Sequence, residues 1–151
     1  MSIAQTATTS FKVELLQAVH NFGPTSPDTF KIALYTAAAN IGPTTTAYTA
    51  TGEVSSSGTG YTTGGEVLTI TTSPTSGNNT AGIPTAYVSF ANVSWLNATF
   101  TARGALIYND TAVGNPSVAV LDFGSDKTVT NDTFQIIFPT STANSAIVRI
   151  S

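Results

Sequence analysis

Asp122, Asp126 and Asp132 are the closest this sequence comes to a metal-binding group. Calcium takes roughly six to eight oxygen ligands, and neighbouring carboxylates are a natural start on such a shell. Lys127 stands among the three, however, and their spacing fits no calcium-loop pattern, so no metal is assigned. Glu53 and Glu66, with the aspartates, are the raw material for general acid/base work on a glycosidic bond. That chemistry needs two carboxyl groups roughly 5 to 9 Å apart, and nothing in the spacing places any two of them so. The chain has no cysteine and a single histidine, which removes disulfides, thiolate metal sites, a cysteine nucleophile and a histidine metal cluster within one subunit.

Two short motifs resemble known catalytic signatures and fail on context. Gly58-x-Gly60-x-x-x-Gly64 suggests a phosphate loop, but it lacks the required spacing and precedes a strand instead of a helix; it reads as a flexible turn. Asp122-Phe123-Gly124 matches a kinase tripeptide without the glycine-rich loop, catalytic loop or size of a kinase. His20 reads as a partly exposed side chain in a last helical turn, where the negative end of the helix dipole favours it. Arg103 sits inside an apolar run before Gly104. Two readings stay open for it: an outward or edge-strand cation paired with a nearby aspartate, or one half of an inter-subunit ion pair. No catalytic, cofactor-binding or metal-binding residue is assigned, no cofactor is implied, and the chain is read as non-enzymatic.

The elements around these residues are mostly strands. Residues 1–9 are small and polar and read as a flexible N-terminal arm, and 10–151 as one β-rich domain. Ser10 is a good N-cap, and Phe11, Leu15, Val19 and Phe22 follow at helical spacing, so one α-helix is expected over about 10–22, stopped by Gly23-Pro24. Asp28 to Thr36 alternates apolar and polar positions as a half-buried strand does. Further strands are expected at 66–72, 85–91, 93–101, 101–108, 117–123, 133–138 and 145–150, and Trp95 is expected in the core. Residues 37–65 and 73–84 read as loops, and the polar segments of 101–138 as turns. Short strands separated by turns after one helix predict a mainly β fold: an antiparallel β-sandwich or jelly-roll-like domain.

Charged residues make up 9% of the chain, against about 25% in average globular proteins. The net charge is −3, with only five basic side chains, which argues against nucleic acid as a partner. No apolar run approaches the roughly 18 residues of a membrane span, so no membrane is expected. The N-terminus lacks the basic start and apolar core of a signal peptide, and synthesis in a cytoplasm is expected. A surface of hydroxyls and amides with few charges repels itself weakly and suits dense assembly.

The segments TSFKVELLQAVHNF, DTFKIALYT, TARGALIYND, AVLDFGSDKTVTNDTFQIIFP and AIVRIS together resemble a family of small tailed-bacteriophage virion proteins. The resemblance covers most of the chain, from Thr9 to Ile150, and is weakest over 38–65 and 73–84. It implies a non-enzymatic structural component of the virion, similar to capsid decoration (cement) proteins that bind the outer shell as oligomers. On that reading the partners are the major capsid protein and further copies of the chain, a trimer more than a dimer, with the 1–9 arm and the 37–65 loop as contact segments. The alternative is a tail or baseplate adhesin for host surface glycans, which would group exposed aromatics such as Tyr48, Tyr61 and Trp95 in one groove. A further rival is a cell-wall-degrading enzyme built on Glu53 and Glu66.

Overall fold

The computed structural model describes residues 2–151 as two antiparallel sheets with one short helix. The strands are β1 (Thr6–Ala7), β2 (Phe30–Tyr35), β3 (Glu66–Leu68), β4 (Ile70–Asn78), β5 (Pro84–Phe90), β6 (Val93–Asn109), β7 (Ser117–Ile136) and β8 (Val148–Ile150); α1 spans Thr9–Leu16. The larger sheet runs β1-β7-β6-β2-β3 and the smaller β4-β5-β8. Phe30, Ile32, Leu34, Ile107 and Val118 of the larger sheet share one core with Val88, Phe90 and Val148 of the smaller. The expected β-sandwich-like architecture is therefore the one observed.

The other face of the larger sheet is covered too. Ala33, Tyr35, Leu106, Tyr108 and Val120 pack there against Ala39 and Ile41 of the 37–65 loop, with Ile3 and Tyr48 at the margin. This corrects the half-buried reading of β2: the alternate positions that face away from the sandwich core meet the loop instead of water, so only Lys31 stays partly open. The loop also finishes the sheet edge. β3 pairs β2 only as far as Ile32, and beyond it Val54 N donates to Leu34 O at 2.9 Å while Leu34 N donates to the Tyr61 hydroxyl at 2.9 Å. Gly65, at φ +75°, makes the turn into β3, and a Cβ there would lie 1.9 Å from Ile32 O.

The N-terminal expectations need correction. Helix α1 is capped by Thr8, whose side chain accepts from Phe11 N, and it ends near Gln17 instead of reaching residue 22. Ala18 takes a left-handed φ of 57° and Val19 N donates to Glu14 O, so the chain turns back and delivers His20 and Phe22 to the core. The wide apolar face predicted for 10–22 is mostly not a helix face: Phe11 is buried, whereas Leu16 is 91% exposed. The arm over 2–8 is hydrogen-bonded, not loose, and residue 1 of the expected arm lies outside the described residues. β1 pairs Thr6 with Val120 and Ala7 with Ala119, Ile3 bridges to Ile41, and Thr8 is fully buried.

Elsewhere strands run through segments that read as turns or loops. β6 and β7 form one long hairpin, pairing from Val93↔Ile136 to Tyr108↔Ser117. The polar stretch 124–132 belongs to β7 because Gly124, Asn131 and the facing Asn97 adopt left-handed φ values of 74°, 52° and 51°. Irregular residues of this kind let a ladder continue past a bulge. The polar side chains there face solvent, and Thr101 and Thr128 join hydroxyls across the strands at 2.8 Å. β4 likewise continues through Pro74, which its place at a sheet edge permits.

Candidate functional site

The densest polar cluster is built by the long loop. A bridge to Tyr35 brings Glu53 to the sheet margin, where its carboxylate collects three donors. Oε1 accepts from the Tyr61 hydroxyl at 2.6 Å and from Gly64 N at 2.7 Å, and Oε2 accepts from the Tyr48 hydroxyl at 2.7 Å. Tyr108 donates to Gly64 O at 2.8 Å, Tyr35 donates to Thr49 O at 2.6 Å and the Tyr61 hydroxyl accepts from Leu34 N, so three tyrosines tie the loop to the sheet while Glu53 cross-links the loop to itself. Burial raises the pKa of all four phenols well above the ordinary value, and the Glu53 charge adds to the effect. Three of the roughly four lone-pair positions of the carboxylate are already engaged. The arrangement is a clamp that fixes residues 37–65 on the sheet.

A second network surrounds His20. Its side chain is fully buried among Phe11, Phe22 and Phe30, the last two stacked at 4.2 Å. Nε2 lies 2.8 Å from Glu14 Oε2 and Nδ1 lies 3.2 Å from Asn109 Nδ2. The partly exposed, helix-bound histidine expected from sequence is thus a core residue outside the helix. Asn109 donates to Asp28 at 2.7 Å and its Oδ1 accepts from Thr111 N and Ala112 N at 3.0 and 3.1 Å. Asp28 in turn accepts from Asn21 N at 2.9 Å. Sequence reading missed Asn109 as a keystone, although an asparagine closing an apolar run ahead of Asp-Thr is a recognisable turn signal.

The other singled-out residues do not converge. Arg103, on the interior strand β6, pairs within the chain with Asp122 at 3.4 Å and reaches Asp126 at 3.9 Å, which is the outward-cation reading. Asp132 lies farther along the same hairpin, opposite Ala98. Glu66 opens β3 opposite Ile32, whereas Glu53 is held by the clamp. Gly58 and Gly60 turn at φ 69° and 73°, the second packed against Asn97 O, and Gly64 gives its amide to Glu53. Trp95 and Tyr61 are buried as core residues. A groove of about 520 Å³ runs between β7 and the C-terminal segment over Phe123, Phe134, Ile136, Phe138 and Ile147, with Asp122 as its one carboxylate. Neither a family model, nor a curated protein, nor a solved structure is similar to the chain. Among the described residues no helix is long and apolar enough to cross a membrane.

Proposed function

We propose that the protein is a non-enzymatic structural component of a bacteriophage virion, a decoration or cement protein that binds the outer shell and staples neighbouring capsid subunits. The observation that carries this reading is the surface. Val13, Leu16, Val67, Ile83, Leu96, Val113, Ile137 and Ile150 are exposed on a chain in which charged residues are only 9%. Large apolar side chains left in water on a chain with few charges suit a surface that is covered in an assembly. The tied-down loop and arm add to the argument: contact segments held by Glu53 and β1 lose little entropy when a partner docks. A homotrimer with the major capsid protein as partner follows from the resemblance to decoration proteins and from the symmetry of shells.

The adhesin reading loses its aromatic platform. Trp95 and Tyr61 are buried, and the Tyr48 hydroxyl is bound to Glu53. The test of the proposal is co-sedimentation of purified protein with shells that lack it. Wild type is expected to pellet with the shells, and a Leu96→Ser, Val113→Ser double variant to bind at least tenfold more weakly with its thermal midpoint unchanged, about 1.4 kcal/mol or more of lost contact. Wild-type protein that stays in the supernatant with shells and pellets with isolated tails overturns it.

A further inference from the structure

We infer that proton uptake by His20 is coupled to the hold on the β6–β7 turn. The Asn109 amide has only one orientation that serves its neighbours. Oδ1 must face the two backbone donors of Thr111 and Ala112, which leaves Nδ2 to donate to Asp28 and to the ring nitrogen of His20. A nitrogen that accepts from N–H carries no proton of its own, so His20 is the tautomer with its proton on Nε2, donated to Glu14. A second proton, taken from solvent onto Nδ1, would face the Asn109 N–H group directly. The amide must then turn over and offer Oδ1 to the ring. That single rotation strips Oδ1 from Thr111 N and Ala112 N and takes Nδ2 away from Asp28.

The charged and titratable groups facing the ring are few. Glu14 comes from α1 and Asp28 from the segment before β2, so the added positive charge is not left unpaired. Lys31 of β2 is occupied by Asp110 at 2.9 Å, and Tyr87 of β5 lines the apolar cavity of about 360 Å³ that His20 adjoins. The rest of the turn is anchored independently of the Asn109 side chain. Asp110 N donates to Thr29 O, Thr29 N to Thr111 Oγ1, Asn109 N to Pro116 O and Tyr48 N to Asn115 O. Protonation therefore loosens one side of the turn, at Thr111 and Ala112, just before the fully exposed Val113.

The inference does not depend on the virion reading, and its test needs only the isolated protein. Because the chain has one histidine, ring nitrogen NMR signals are unambiguous. They would be followed from about pH 8 to about pH 5 together with the Asn109 side-chain amide and the backbone amides. The expected result is an Nε2–H tautomer at neutral pH. On acidification the ring, the Asn109 amide and the Thr111 and Ala112 amides shift with one midpoint, and exchange quickens at those two amides but not at Asp110 or Ser117. His20→Phe should abolish the transition at Thr111 and Ala112. An Nδ1–H tautomer, ring protonation without response at these amides, unfolding before protonation, or persistence of the transition in the His20→Phe variant each overturns the coupling.

Discussion

Replacing Glu53 with alanine should loosen the long loop and weaken its seat on the sheet. Three donors lose their acceptor at once: the Tyr61 hydroxyl, Gly64 N and the Tyr48 hydroxyl. Tyr61 and Gly64 are buried, and a buried donor left unpaired costs about 1–3 kcal/mol. Tyr48 is only partly buried and recovers its hydrogen bond from water. The expected loss is therefore about 3 kcal/mol, set by two donors of the three, which in a chain of this size lowers the thermal midpoint by about 6–12 °C. Glu53→Gln keeps one oxygen for Tyr61 and Gly64 and should cost about 1 kcal/mol, the difference between a charged and a neutral acceptor. Urea denaturation followed by circular dichroism gives both numbers. Amide exchange should quicken at Leu34 and Val54, whose hydrogen bonds depend on the docked loop. An alanine variant within about 0.5 kcal/mol of wild type, with Leu34 still protected, would refute the clamp.

Other consequences are as direct. Burial holds the phenols of Tyr35, Tyr48, Tyr61 and Tyr108 protonated above the value of 10.0 at which they ionise in an unfolded chain. Above that pH the unfolded form sheds protons that the native form retains, so their stabilisation is intact below pH 10 and is lost as pH rises beyond it. Phenolate absorbance should accordingly rise for these four only as the near-ultraviolet dichroism collapses; ionisation near pH 10 in an intact fold would contradict this. Gly65→Ala places a Cβ against Ile32 O at a left-handed φ and should cost about 3 kcal/mol or more or abolish soluble expression, combining backbone strain with a clash. A fully stable alanine variant would show that the turn is not as described. Ile3→Ala should cost about 1–2 kcal/mol, since Ile3 packs on the Tyr35–Leu106 face and against Gly104; an unchanged denaturation midpoint would restore the loose arm.

The fold class was legible because apolar runs at strand length mark where chain can be buried, and β2, β5 and the starts of β6 and β7 stand close to their expected places. What eluded the sequence was mostly tertiary. The half-buried appearance of Phe30–Tyr35 is a true local pattern, but the second layer on its polar-looking side comes from a loop whose Ala39, Ile41 and Tyr48 are too scattered to signal a packing face. The polar stretch 124–132 carries turn residues that here act as bulges, a distinction decided by the facing strand and not by composition. Helix periodicity over 10–22 was real for Phe11, Leu15 and Phe22, yet Ala18 at positive φ redirected the last of them through a turn. For the site, Glu53 was visible as a carboxylate and Tyr48 and Tyr61 as aromatics. Their meeting across a loop could not be read from spacing, and it joins residues singled out separately in one structural clamp.

On the proposed function, this surface is covered in a shell. Quantitative mass spectrometry of purified virions, with the major capsid subunit as internal standard, addresses it most directly. The expected copy number scales with the shell lattice, on the order of hundreds per particle. A handful of copies, matching the low symmetry of a tail and disappearing when tails are removed, would contradict it.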